Sequence, residues 1–198
     1  MKNKKNVFVF AIICITFFII FNYIFCVSGN NIIRNQNEFV EDIFKKLENY
    51  EANIEVIVIS NKNENKYNIY QVVDNEYSKL IVNSPENIRG LEIEIKDENF
   101  KITNGNQEMT KIYENYKPII NNSLFINSFI DDYKNNETEI LEENEDIIIK
   151  IELNKENNTY IKSKELYLNK NGMPKKMLIK DDVQNINTSI IYNDIKIK

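Results

Sequence analysis

The spacing of apolar positions changes along the chain, and each change marks an element. Val7 to Val27 is a run of 21 residues without a charge that holds Phe8, Phe17, Phe18, Phe21 and two further phenylalanines. As a helix it would reach roughly 31 Å, enough to cross the hydrocarbon of a bilayer. Lys2, Lys4 and Lys5 precede it, so the cationic flank stays inside and the rest of the chain is expected outside. Small residues at Val27-Ser28-Gly29 offer a cleavage site, but the run exceeds the roughly 7 to 15 residues of a cleaved signal. Residues 1–29 therefore read as a membrane anchor or signal segment, and 30–198 as one domain.

From Asn35 the spacing is helical. Phe39, Val40, Ile43, Phe44, Leu47 and Tyr50 recur every three or four positions, with Glu41, Asp42, Lys45, Lys46 and Glu48 opposite. The pattern predicts a helix over 35–50, capped by Asn35 or Asn37. After Ala52 the period becomes two. Ile54, Val56 and Val58 alternate with Glu55, Ile57 and Ile59; Tyr67 to Val73 and Tyr77 to Val82 flank a turn at Asp74-Asn75. Leu91, Ile93 and Ile95 alternate with Glu92, Glu94 and Lys96, and Phe100 and Ile102 follow. Asn104-Gly105 suits a type I′ hairpin turn, whose two central residues both need positive φ.

The alternation breaks between Pro118 and Asn136. There Ile126, Phe129, Ile130 and Tyr133 fit a second helix over 123–134, capped by Ser123 or Asn122. Strands resume over Asp146 to Leu153, Tyr160 to Leu168, Lys175 to Lys180 and Ile186 to Ile197, with turns at Asn169 to Gly172 and Asp181-Asp182. Short connections make these neighbours antiparallel. A twisted sheet this large has to curl, and its inner face has to be covered. The expected architecture is mainly β (α+β): an antiparallel sheet of about ten to eleven strands curled into a half-barrel. Its concave apolar face would be Ile54, Val56, Val58, Ile69, Leu91, Ile93 and Ile95, and the covering helices would present Phe39, Ile43, Leu47, Ile126, Phe129 and Ile130.

Charge and composition narrow the function. The net charge is −5 and all 30 carboxylates lie at or beyond Glu38, which argues against nucleic acid, where cations neutralise phosphates. Histidine is absent, removing the commonest general base and neutral metal ligand. Glu92 and Glu94 share a strand face, but as the polar side of an alternating strand they read as a solvated face rather than a glycosidase pair. The acidic stretch Glu137 to Asp146 lacks the order of a calcium loop. No catalytic, cofactor or metal residues are assigned, and the expectation is that the chain is not an enzyme. The two cysteines, Cys14 and Cys26, follow Ile13 and Phe25, whereas bacterial lipidation wants a small residue there; they read as apolar filler.

Several motifs in order resemble the LolA-like lipoprotein-carrier fold family, in its GerS-related spore-germination branch. They are Val82-Asn83-Ser84-Pro85 with Gly90-Leu91-Glu92-Ile93, then Leu166-Tyr167-Leu168-Asn169, Pro174, Leu178-Ile179-Lys180-Asp181, and Ile190 to Ile195. The resemblance implies a half-barrel of about eleven strands closed by helices and a non-enzymatic partner of a cell-wall (cortex) amidase. Other members of the family hold acyl chains in the concave face, so a lipid or lipoprotein carrier is the alternative. Either role places the domain outside the cytoplasm, in the cell or spore envelope, tethered by its N-terminus.

Overall fold

The computed structural model of the chain describes residues 37–60, 63–74, 77–96, 99–105, 109–113, 123–153 and 161–198. The anchor residues Val7, Phe8, Phe17, Phe18, Phe21 and Val27, with Cys14 and Cys26, lie outside them. Among the described residues no helix is long and apolar enough to cross a membrane. Two units are distinguished, Met1–Asp42 and Ile43–Lys198. In the first, residues 37–42 are the opening turns of a helix, α1 (37–46), on which Phe39 is exposed.

Among the described residues the second unit holds eleven strands: β1 (Tyr50–Ser60), β2 (Asn63–Val73), β3 (Tyr77–Ser84), β4 (Leu91–Lys96), β5 (Asn99–Asn104), β6 (Met109–Tyr113), β7 (Glu137–Glu143), β8 (Asp146–Glu152), β9 (Ser163–Asn169), β10 (Pro174–Lys180) and β11 (Ile186–Ile197). Their order is β6-β5-β4-β3-β2-β1-β11-β10-β9-β8-β7, and every pairing is antiparallel. Two meanders are thus fused where β1 pairs with β11, Tyr50 opposite Ile197. The sheet is open, with β6 and β7 at its two edges.

That order explains why a helix lies between β6 and β7. Ten strand spacings, about 48 Å along the sheet, separate the two edges. Residues 114–136 make the connection, and they include α2 (Ile126–Asn135). Its apolar stripe is as the spacing predicts, with Ile126, Phe129 and Ile130 buried.

The boundaries differ from expectation in instructive ways. Tyr50 opens β1 instead of closing the first helix, because α1 ends at 46. Ser123 does not cap α2. The N-cap is Phe125, without a side-chain hydrogen bond. The free N–H of Ile126 donates instead to the Tyr50 hydroxyl, 3.2 Å away and 76 residues distant in sequence. At Asn104-Gly105 the hairpin forms, but Asn104 is itself in β5, paired with Met109, so the loop is longer than a two-residue turn. The acidic stretch from Glu137 is an edge strand, turned into β8 by Asn144 and Glu145, both at positive φ.

Two other turns follow from side-chain chemistry. Asn169 Oδ1 accepts from the backbone N–H of Asn171 and Met173, and Asp181 Oδ1 from those of Val183 and Asn185. Gly172, in the first of these turns, has φ +81, and a Cβ built there would stand 2.5 Å from Ile43 Cδ1. Gly172→Ala should therefore destabilise the domain by about 1–3 kcal/mol through overpacking, besides strain at a positive φ. Urea denaturation of the two proteins measures it; a change within error would show that the end of α1 does not press on this turn.

Candidate functional site

Strand register assigns the faces. Ile54 is opposite Ile69 and Tyr192, and Ile69 is opposite Val82; Gln71, Leu80, Ile93 and Ile102 form the next row, and Ser78, Ile95, Phe100 and Tyr113 another. Alternation along each strand then puts Ile54, Val56, Val58, Ile69, Leu91, Ile93 and Ile95 on one face. On the β9 side the same face carries Leu166, Met177, Ile149 and Lys164.

Helix α2 lies on this face. At its start, Gln71 Nε2 donates to the Leu124 carbonyl at 2.9 Å, while the Tyr50 hydroxyl donates to Gln71 Oε1 at 3.2 Å and accepts from Ile126 N–H. Toward its end, Lys164 on β9 donates to Asp132 Oδ2 at 2.6 Å and to Ser128 Oγ at 3.2 Å. Ten residues of helix extend about 15 Å, and β1 to β9 is three strand spacings, about 14 Å. The helix therefore bridges the centre of the sheet, fastened by polar groups at both ends. Phe129 is fully buried, with Phe44 edge-on at 6.3 Å between ring centroids, and Phe44 also meets Tyr133 at 5.0 Å. Ile43 and Leu47 are buried as well. Burial pushes the Tyr50 phenol far above its ordinary pKa, against the lowering effect of the Ile126 N–H, so it stays a neutral donor and acceptor.

Toward the β6 edge the face is less covered. Leu91, Ile93, Ile95, Phe100 and Ile102 are all half-buried, and on β6 Met109 and Tyr113 are exposed. This is an apolar wall of five side chains across two strands, with Lys111 and Tyr113 stacked at its margin.

The opposite face carries charged side chains that pair locally, beside apolar ones such as the buried Ile148 and Leu178. Glu92 meets Lys79 at 2.7 Å, and Glu51 receives Lys198 at 2.6 Å and the Tyr70 hydroxyl at 2.8 Å. Glu165 is nearly buried; burial opposes its ionisation, but hydrogen bonds from Lys180 and Tyr167 hold its carboxyl below the usual range. The Tyr167 phenol is pushed up to about 12 by burial and by that carboxylate. Among the described residues no three acidic, Cys or His side chains cluster as a metal site would.

Sequence reasoning missed the polar fasteners. Lys164 sits mid-strand between Ser163 and Glu165, where a lysine reads as a solvated residue. It is 1% exposed. Gln71 carried no signal either, flanked by strand residues of ordinary alternation.

No protein-family model matches the sequence, and no curated protein matches it. Solved structures do. A chain of the complex between the CwlD amidase of Clostridioides difficile and the GerS lipoprotein is similar at 23% identity, over 82% of this chain and 95% of that one, with a TM-score of 0.54. An uncharacterized conserved protein from Thermus thermophilus matches at 10% identity over 83% and 88%, also at 0.54. The LolA superfamily protein NE2245 from Nitrosomonas europaea matches at 12% identity over 80% and 93%, at 0.42. At these identities the likeness is one of fold.

Proposed function

We propose that the chain is a GerS-like, non-catalytic envelope protein that binds and supports a cell-wall (cortex) amidase during spore formation or germination. One observation carries this reading: the likeness in fold, over nearly the whole of both chains, to a chain of a structure in which an amidase is complexed with a lipoprotein. Val7 to Val27 would hold the domain outside the cytoplasm as a retained anchor, and the eleven strands would curl into a half-barrel around α2. Affinity purification of the full-length, tagged chain from sporulating cells is expected to recover a cell-wall amidase by mass spectrometry. Recovery of the tagged chain without one would overturn the reading.

A second reading is favoured by the half-buried wall of Leu91, Ile93, Ile95, Phe100 and Ile102. In it the domain carries a lipid or lipoprotein acyl chain on the concave face. Organic extraction of the purified protein should then release an acyl species, and Ile93→Glu should abolish its retention while leaving amidase recovery unchanged. An extract free of acyl species removes this second role and leaves the first standing.

A further inference from the structure

Apart from Lys164, the face beneath α2 has its buried polar side chains near the start of the helix. There the Tyr50 hydroxyl, the Gln71 carboxamide, the Ser123 hydroxyl and the Tyr192 hydroxyl are all buried, with Tyr50 and Gln71 fully so and Ser123 and Tyr192 only 6% and 7% exposed. Tyr50 and Gln71 satisfy each other and the backbone at the start of α2. Among the described residues, Ser123 Oγ and the Tyr192 hydroxyl have no hydrogen-bond partner. Two hydroxyls stranded at such depth are costly, and native proteins pair such groups with protein atoms or ordered water.

The sheet places these groups around a small residue. Ala52 shares its face with Tyr50 and lies directly opposite Gln71. The Tyr50 hydroxyl reaches Gln71 Oε1, so its side chain runs toward the Ala52–Gln71 position. Tyr192 stands opposite Ile54, the next position on that face beyond Ala52. Ser123 adjoins Leu124, whose carbonyl Gln71 holds. Ala52, 1% exposed, is thus the small residue between Tyr50 and Ile54 on this face.

We propose that ordered water is bound in this hub over Ala52, accepting or donating to the Tyr192 and Ser123 hydroxyls and linking them to the Tyr50 and Gln71 network that seats α2. The chemistry suits water: every group but the carboxamide is a hydroxyl that can both donate and accept, and none carries charge. Folded proteins hold on the order of one buried water per 27 residues, each with about three hydrogen bonds, and the hub offers that number of partners. A larger polar ligand has no charged group here to recognise.

Two measurements test this on the full domain. High-resolution diffraction from crystals of the protein should show a solvent peak within hydrogen-bonding distance of the Tyr192 hydroxyl. Tyr192→Phe and Ser123→Ala, each the loss of one oxygen, should both lower Tm by about 2–4 °C, because each removes a satisfied bond. In a dry hub the same changes would delete a stranded hydroxyl, and Tm would hold or rise. Either an empty hub in the density map or an unchanged or raised Tm overturns the proposal, and the diffraction arm needs no variant to fold.

Discussion

Asp132→Ala is expected to destabilise the domain by about 3–5 kcal/mol, since it leaves a buried ammonium without its counter-charge. Lys164 is 1% exposed and its Nζ lies 2.6 Å from Asp132 Oδ2, with Ser128 Oγ its other hydrogen-bond partner. The matching control is Lys164→Met, which keeps the stem and deletes the charge. Replacing a buried ion with an apolar residue of similar size is often close to neutral, so this variant should lose far less than Asp132→Ala. Chemical denaturation of both variants measures the order. If Lys164→Met proved the worse of the two, the pair would be contributing net attraction rather than merely avoiding an unpaired charge.

Phe129→Ala is the other large effect, expected at about 3–5 kcal/mol. The ring is fully buried and meets Phe44 edge-on. Truncation removes apolar area and that aromatic contact, and the fasteners at either end of the helix limit how far α2 can sink into the gap. Urea titration would check the size of the loss. A loss below about 1 kcal/mol would mean the helix collapses onto the sheet freely, contrary to a seat fixed by Tyr50 and Lys164.

How much of this was legible in the sequence depended on which residues have a buried side. The central strands declared themselves, because one face is apolar and period two follows. The edge strands did not. All five residues of β6 are exposed, and β7 carries Glu137, Glu139, Glu142 and Glu143 across both faces, so neither shows the alternation of a half-buried strand. Carboxylates on an edge also discourage another β7 from pairing there, which gives the acidic stretch a structural reason for its composition. Helix α2 was legible from its stripe, but its cap was not, because the group that satisfies Ile126 comes from β1. The ion pair was hidden for the same reason: 32 residues separate Lys164 from Asp132, and only the fold brings them together.

The pairing of the first strand with the last sets the timing of folding. Every ladder but one joins neighbours in sequence and can zip as soon as its second strand is available. The β1 to β11 ladder must close a loop of nearly the whole domain, and Lys198 N–H, just past β11, donates to the Asn49 carbonyl. Long-range closure of this kind is slow. During synthesis, the two meanders would emerge as separate half-sheets whose unjoined borders stay open until β11 arrives. That interval is when the nascent protein has most need of a chaperone, and a truncation that removed β11 would prolong it indefinitely.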